Sequence, residues 1–140
     1  VKMKNYEVEA FANFLMSLEL IGRESRFRTR FVRLLMERVK LIREEHAELI
    51  RQFARFDESG NPIIVKINGV DAYDVPNKKA FDKEYSSLMN EDFIIEENEE
   101  RKEMLLTVRD AILNCQKTFS GREAMEYDRW CEIVEEINYD

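Results

Sequence analysis

The stretch that decides the fold runs from position 26 to 56, RFRTRFVRLLMERVKLIREEHAELIRQFARF. Within it Val32, Leu35, Val39, Ile42, His46, Leu49, Phe53 and Phe56 follow one another at alternating intervals of three and four. Those intervals keep side chains on one face of an α-helix, so the residues form a heptad-like seam. With its entry from Arg23, the pattern predicts a single helix over 23–56, about 34 residues and about 50 Å long at ~1.5 Å per residue. A lone helix cannot bury its own apolar stripe, so partners must lie along it. Phe27, Phe31, Leu34, Leu41 and Ile50 widen the apolar face beyond a two-stranded seam, which calls for more than one neighbour.

Working outward, Val8, Phe11, Phe14, Leu15 and Leu18 predict a first helix over 6–19, with Asn5 as its N-cap. Downstream, DESGN at 57–61 has the chemistry of a turn. IIVKINGVDAYDV at 63–75 then reads as two short strands about Asn68-Gly69, because a two-residue type I′ turn needs positive φ at both positions. Phe81, Tyr85, Leu88 and Met89 return to helical spacing over 77–90. DFIIEE at 92–97 reads either as a third short strand or as an extended connector.

Leu105, Val108, Ile112, Cys115 and Phe119 predict a helix over 99–118, with Glu99 and Glu100 near its positive end. SGRE at 120–123 matches the S-x-x-E capping box and starts a last helix over 121–137, carrying Tyr127, Trp130, Val134 and Ile137. The last two helices form a hairpin in this reading. No repeat and no linker composition divides the chain, so the expectation is one domain over 1–140. Its class is mainly α, a helical bundle built on one long helix with a small β-hairpin insertion.

The chain has 140 residues, 44% of them hydrophobic, enough for a core without staples. Its two cysteines, Cys115 and Cys131, stand in helix-like patterns with neither a CxxC knuckle nor a disulfide framework, and read as buried free thiols. The first residues carry Lys2 and Lys4, but Glu7, Glu9, Asn13 and Glu19 interrupt what a signal peptide keeps apolar. No run approaches the ~18 apolar residues of a membrane span. The expectation is a cytoplasmic protein that makes no membrane contact.

Several chemistries lack their residues. His46 is the single histidine. A zinc site needs three or four ligands and a di-iron bundle needs paired Glu-x-x-His motifs, so no metal is assigned. His46 reads instead as a structural histidine, buried or at an interface and hydrogen-bonded across the seam. DESGNPIIVKIN lacks the glycine and the closing glutamate of a calcium loop. There is no phosphate-binding glycine loop and no nucleophile elbow. The reading is a protein that is not an enzyme, with no cofactor and no catalytic residue.

What stands out is charge. Between Arg23 and Arg43 eight basic residues face only Glu24 and Glu37, a local charge of +6 in a chain of net −7. The remaining residues therefore sum to −13. Arg23, Arg26, Arg30, Arg33 and Lys40 share an outward stripe, whereas Arg28 continues the register of the apolar seam and is a candidate polar residue of the core or an interface. Cations in the first turns oppose the helix macrodipole, so something should offset them.

Three readings compete. The arginines pair with the chain's own acids, among Glu96 to Glu100 or Glu132, Glu135 and Glu136. Or Arg23, Arg26, Arg30 and Arg33, with Phe27 and Phe31 as anchors, dock on an acidic partner protein. Or the stripe tracks the phosphates of a nucleic acid, against repulsion from the acidic remainder. Carboxylates that mimic DNA are a further variant, disfavoured by their even spread.

The order of elements, with EVEAFANFLMSLEL at 7–20, EEHAELIRQFARFDESGN at 44–61 and F-x-K-E-x-x-x-L-x-x-E from Phe81 to Glu91, resembles a family of small proteins of unknown function encoded by phages and prophages of Gram-positive bacteria. The likeness covers about residues 6–95. It extends neither to the arginine-rich entry of the long helix nor to the last helix, and the family offers no catalytic residues. The resemblance implies a small protein acting inside a bacterial host by binding, and inhibiting or redirecting, a host or phage protein. The leading expectation is a non-catalytic binder, through the exposed face of the long helix, of a host anti-phage defence or nucleic-acid-processing protein. The alternatives are a nucleic-acid-binding accessory protein and a structural homodimer joined through the long helix at His46.

Overall fold

The computed structural model describes residues 1–139. The fold is mainly α, with five helices and two small antiparallel two-stranded sheets among the described residues. In order these are β1 (Lys2–Lys4), α1 (Asn5–Met16), α2 (Gly22–Phe53), β2 (Ile64–Ile67), β3 (Val70–Tyr73), α3 (Lys78–Met89), β4 (Asp92–Ile94), α4 (Lys102–Leu113) and α5 (Gly121–Glu135). The chain divides into two compact units. One comprises Val1–Val39 together with the chain from Asp92 onward; the other is Lys40–Glu91.

The first unit holds the core. Phe11 of α1 stands at its centre, edge-on to Phe31 of α2 at 6.1 Å and stacked on Trp130 of α5 at 4.9 Å. Leu15, Leu35, Leu105, Val108, Ile112 and Val134 close around them without measurable exposure. α4 and α5 form the expected hairpin, locked where the Tyr127 hydroxyl donates to the Ile112 carbonyl at 2.6 Å. α4 stops at Leu113, several residues short of the expected end, so Cys115 and Phe119 lie in the connection rather than on a helix. Phe119 instead stacks on Tyr127 at 4.4 Å.

β1 pairs with β4 in the register Lys2↔Ile94, Met3↔Phe93, Lys4↔Asp92. DFIIEE is thus a strand in its first half. Its partner was not foreseen, because three residues of KMK carry no periodicity that could be read. The pleat nevertheless explains it: Met3 turns inward and is buried, while Lys2 and Lys4 turn out to Asp92, the latter at 2.8 Å.

Two expected caps are corrected. Asn5 is the first helical residue rather than the N-cap of α1, and its Oδ1 accepts from Arg38 Nε at 2.8 Å. The cap position belongs to Lys4, whose backbone N–H donates to the Glu7 carboxylate at 2.9 Å. Ser120 does occupy the N-cap of α5, but its side chain makes no capping hydrogen bond.

In the second unit, α2 ends at Phe53, three residues before the expected end, and Phe56 instead bridges to Pro62. Asp57 Oδ1 accepts from the N–H groups of Ser59 and Asn61, the local turn that DESGN predicts. The hairpin forms as read, with φ of 52° at Asn68 and 79° at Gly69 and with Ile64↔Tyr73 to Ile67↔Val70 paired. Asn77 caps α3 by accepting from Ala80 N–H. Phe53 and His46 of α2 meet Phe81 and Tyr85 of α3 through ring contacts. Among the described residues only Leu88 of this unit is buried.

Candidate protein-interaction surface

The arginine block does not behave as one feature. Angular position on α2 sorts it, since residues three, four and seven apart share a face and others do not. Arg28 points into the first unit, 7% exposed. Its Nη1 donates to the carbonyls of Leu15 and Leu18 at 2.8 and 2.7 Å, and Nη2 to Ser25 Oγ at 3.1 Å. Leu15 is in the last turn of α1 and Leu18 just beyond it, where carbonyls run short of helical partners, and one guanidinium nitrogen takes both. Arg28 is therefore a helix clamp, in keeping with its place in the seam.

Phe27 and Phe31 are also inward. Phe31 is fully buried against Phe11, and Phe27 is 7% exposed. Neither ring can reach a partner, and the expectation that they anchor one is corrected. They share the core side of α2, and proximity to arginines in sequence does not move them to the arginine side.

The outward side carries Arg23, Arg26, Arg30 and Arg33, all exposed. The guanidinium carbons of Arg23, Arg26 and Arg30 lie 5.3, 6.0 and 5.3 Å from the centroid of the Phe27 ring, so three cations roof one phenyl group. Such contacts are worth about 0.5–1 kcal/mol at exposed sites. They fix the stems and leave the charged edges to solvent. Arg23 Nη2 pairs with Glu103 Oε1 at 2.9 Å. Among the described residues Arg26, Arg30 and Arg33 have no acidic side chain within ion-pair distance.

None of the acids expected to neutralise the block pairs with it among the described residues, and two of them have other partners. Glu97 accepts from Asn138 N–H, and Glu132 pairs with Arg129 at 3.4 Å. A close ion pair of the first unit joins residues that no sequence spacing relates. Arg129 grips Glu7 with Nε–Oε2 at 2.6 Å and Nη2–Oε1 at 3.1 Å. Burial pushes the Glu7 carboxyl up, but the Arg129 fork and the Lys4 N–H outweigh it and hold the group below its ordinary value. The Glu7 bond raises Arg129 in turn.

His46 sits half-buried with its ring 4.8 Å from that of Tyr85 and 6.3 Å from that of Phe81. α3 of the same chain thus lies on that part of the seam. Cys115 and Cys131 are free and only half-buried. Burial first, and a hydrogen bond with Cys131 second, push the Tyr127 hydroxyl up to about 12. Among the described residues no three His, Cys, Asp or Glu side chains gather as a metal site would require, and no helix is long and apolar enough to cross a membrane. The hairpin is apolar and exposed, with Ile64, Ile67, Val70 and Tyr73 all facing solvent. Alternation told that these are strand residues but not that no layer covers them. Comparison with protein families, with curated proteins and with solved structures finds no match to the chain.

Proposed function

We propose that this is a non-catalytic binding protein whose outward face of α2, Arg23, Arg26, Arg30 and Arg33, docks on an acidic surface of another protein. The observation that supports the reading is the lack of any ion pair at Arg26, Arg30 and Arg33 among the described residues. Like charges at i,i+4 and i,i+3 each cost a helix about 0.2–0.5 kcal/mol, and cations near its N-terminus add a similar penalty. A partner's carboxylates would relieve both. With Phe27 and Phe31 in the core, the face carries no aromatic anchor, so recognition here rests on charge and on arginine geometry.

The resemblance to phage and prophage proteins supplies the setting of the proposal: a host or phage protein, with an anti-phage defence protein as one target class, bound and inhibited or redirected. The test is capture from a bacterial host lysate by the tagged protein and by its R26A/R30A/R33A variant, each with and without nuclease. A stoichiometric protein is expected to survive nuclease and to disappear with the variant, whose own melting temperature stays within a few degrees of the wild type. Material lost on nuclease treatment, with an affinity falling about 0.9 log units per log unit of salt for each phosphate contacted, would turn the face over to nucleic acid.

A further inference from the structure

The first unit is divided in charge as well as in sequence. Residues 1–39 hold eight basic and five acidic side chains, whereas residues 92–140 hold six basic and fourteen acidic ones. Its helices touch in a ring. Phe11 of α1 meets Phe31 of α2 and Trp130 of α5, Arg23 of α2 reaches Glu103 of α4, and α4 joins α5 at Ile112 and Tyr127. α2 and α5 each meet α1 and α4, and the rows they turn outward are different faces of the unit.

Those two faces match. On α2 the outward row is Arg23, Arg26, Arg30, Arg33, at steps of three, four and three. On α5 the buried side is Trp130, Ile133 and Val134, and the opposite row is Met125, Asp128, Glu132, Glu135, again at steps of three, four and three. Met125 is 75% exposed, and among the described residues Asp128 and Glu135 have no ion pair. Glu132 shares only the outer edge of Arg129, which is turned mainly to Glu7.

We propose that the arginine row of α2 takes the acidic row of α5 of a second copy of this chain, head to tail. The inference rests on the reading of the α2 face as a docking surface and names one occupant for it. With the helices antiparallel, Arg23, Arg26 and Arg30 oppose Glu135, Glu132 and Asp128, and the stem of Arg33 lies along Met125. The positive end of α2 then meets the negative end of α5, which favours this polarity over the parallel one. Because the two faces are different, the contact is heterologous and leaves one of each free, so copies add beyond a dimer, in a ring or an open series. An acidic partner that takes the arginine row ends the series. Exposed ion pairs are individually weak, so the association belongs to high protein concentration and modest salt.

Sedimentation of the full chain tests this, at up to about 1 mM protein and about 50 mM salt, where charges interact over ~10 Å or more. The wild type is expected to grow beyond a dimer with concentration and to revert to monomer near 0.5 M salt. R26Q/R30Q/R33Q should need at least a tenfold higher concentration to reach the same extent. R26E/R30E/R33E and D128K/E132K/E135K should each stay monomeric, and mixing the two should restore growth, because each then offers the row the other lacks. A wild type monomeric throughout, an arginine variant that associates like the wild type, or a mixture that stays monomeric overturns the proposal. If the wild type stays monomeric while R26A/R30A/R33A still loses its captured partner, self-association alone falls. If neither capture nor association depends on the arginines, the docking reading falls with it.

Discussion

The two units share a helix and little else in how they are held. In the first, α2 contributes Phe31, Leu35 and Val39 to a core where nine-tenths or more of each side chain is hidden. In the second, the same seam continues through Ile42, His46, Leu49 and Phe53, and all four are only half-buried. The intervals of three and four do not change at the boundary; the depth of cover does. Periodicity thus reports which way a side chain points, and says nothing of how much lies on top of it. The Lys40–Glu91 unit is held by local devices instead: the Asp57 turn, the Asn68-Gly69 turn, the Asn77 cap and a row of aromatic contacts between α2 and α3.

That contrast sets an order of expected effects. Phe31→Ala removes a fully buried ring at the centre of the first unit and should cost about 3–5 kcal/mol in denaturant unfolding. A cost under 1 kcal/mol would mean that the core is not where the stability lies. Next is Arg28→Met, which keeps the volume but takes the guanidinium from the Leu15 carbonyl of α1 and the Leu18 carbonyl just beyond it; it should cost about 2–3 kcal/mol, read the same way. In the second unit Phe81→Ala should cost about 1–2 kcal/mol, less than Phe31→Ala, because its ring is already half exposed in the folded chain. Hydrogen exchange sharpens the comparison, with amides of β2, β3 and α3 expected to exchange before those of α1 and α4.

Acid should act on the first unit through Glu7. Its folded carboxyl lies below the ordinary 4.5, so the unfolded chain takes up the proton first as pH falls. The contribution is fully present above about pH 4.5 and is lost as pH drops through the folded value. Glu7→Gln should lower stability at neutral pH and flatten that acid limb, and a variant whose acid limb equals that of the wild type would sink the assignment. The smallest effect is expected on the hairpin. Val70 is 67% exposed, and Val70→Thr should move stability by under about 0.5 kcal/mol. A larger loss would show that something covers that surface in solution.

Much of the fold was legible because it is written locally. Three- and four-residue spacing locates each helix of the described residues, and Asn68-Gly69 locates the hairpin with its turn type. What escaped was long-range or depended on depth. β1 is three residues whose only sense is a partner at 92–94, and the Glu7–Arg129 clasp joins residues 122 positions apart. The unit boundary falls inside α2, between Val39 and Lys40, where composition has no reason to change. At the candidate surface, the arginine stripe and the inward register of Arg28 could be read from angle alone. The roles of Phe27 and Phe31 could not, since an aromatic residue at the margin of a wide apolar face is core or contact according to which neighbours arrive.

The clasp between the first and last helices has a consequence for how the chain comes to be folded at all. Phe11 of α1 finds part of its cover on Trp130 of α5, and the inserted Lys40–Glu91 segment is made before that helix. At about 5–20 residues per second of synthesis, the apolar face of α1 waits on the order of 5–20 seconds for its partners. The entropy of closing so long a loop rises only with the logarithm of its length, so the insertion changes equilibrium stability little. Its weight falls on the nascent chain, in an interval when the N-terminal helices are exposed to chaperones and to one another.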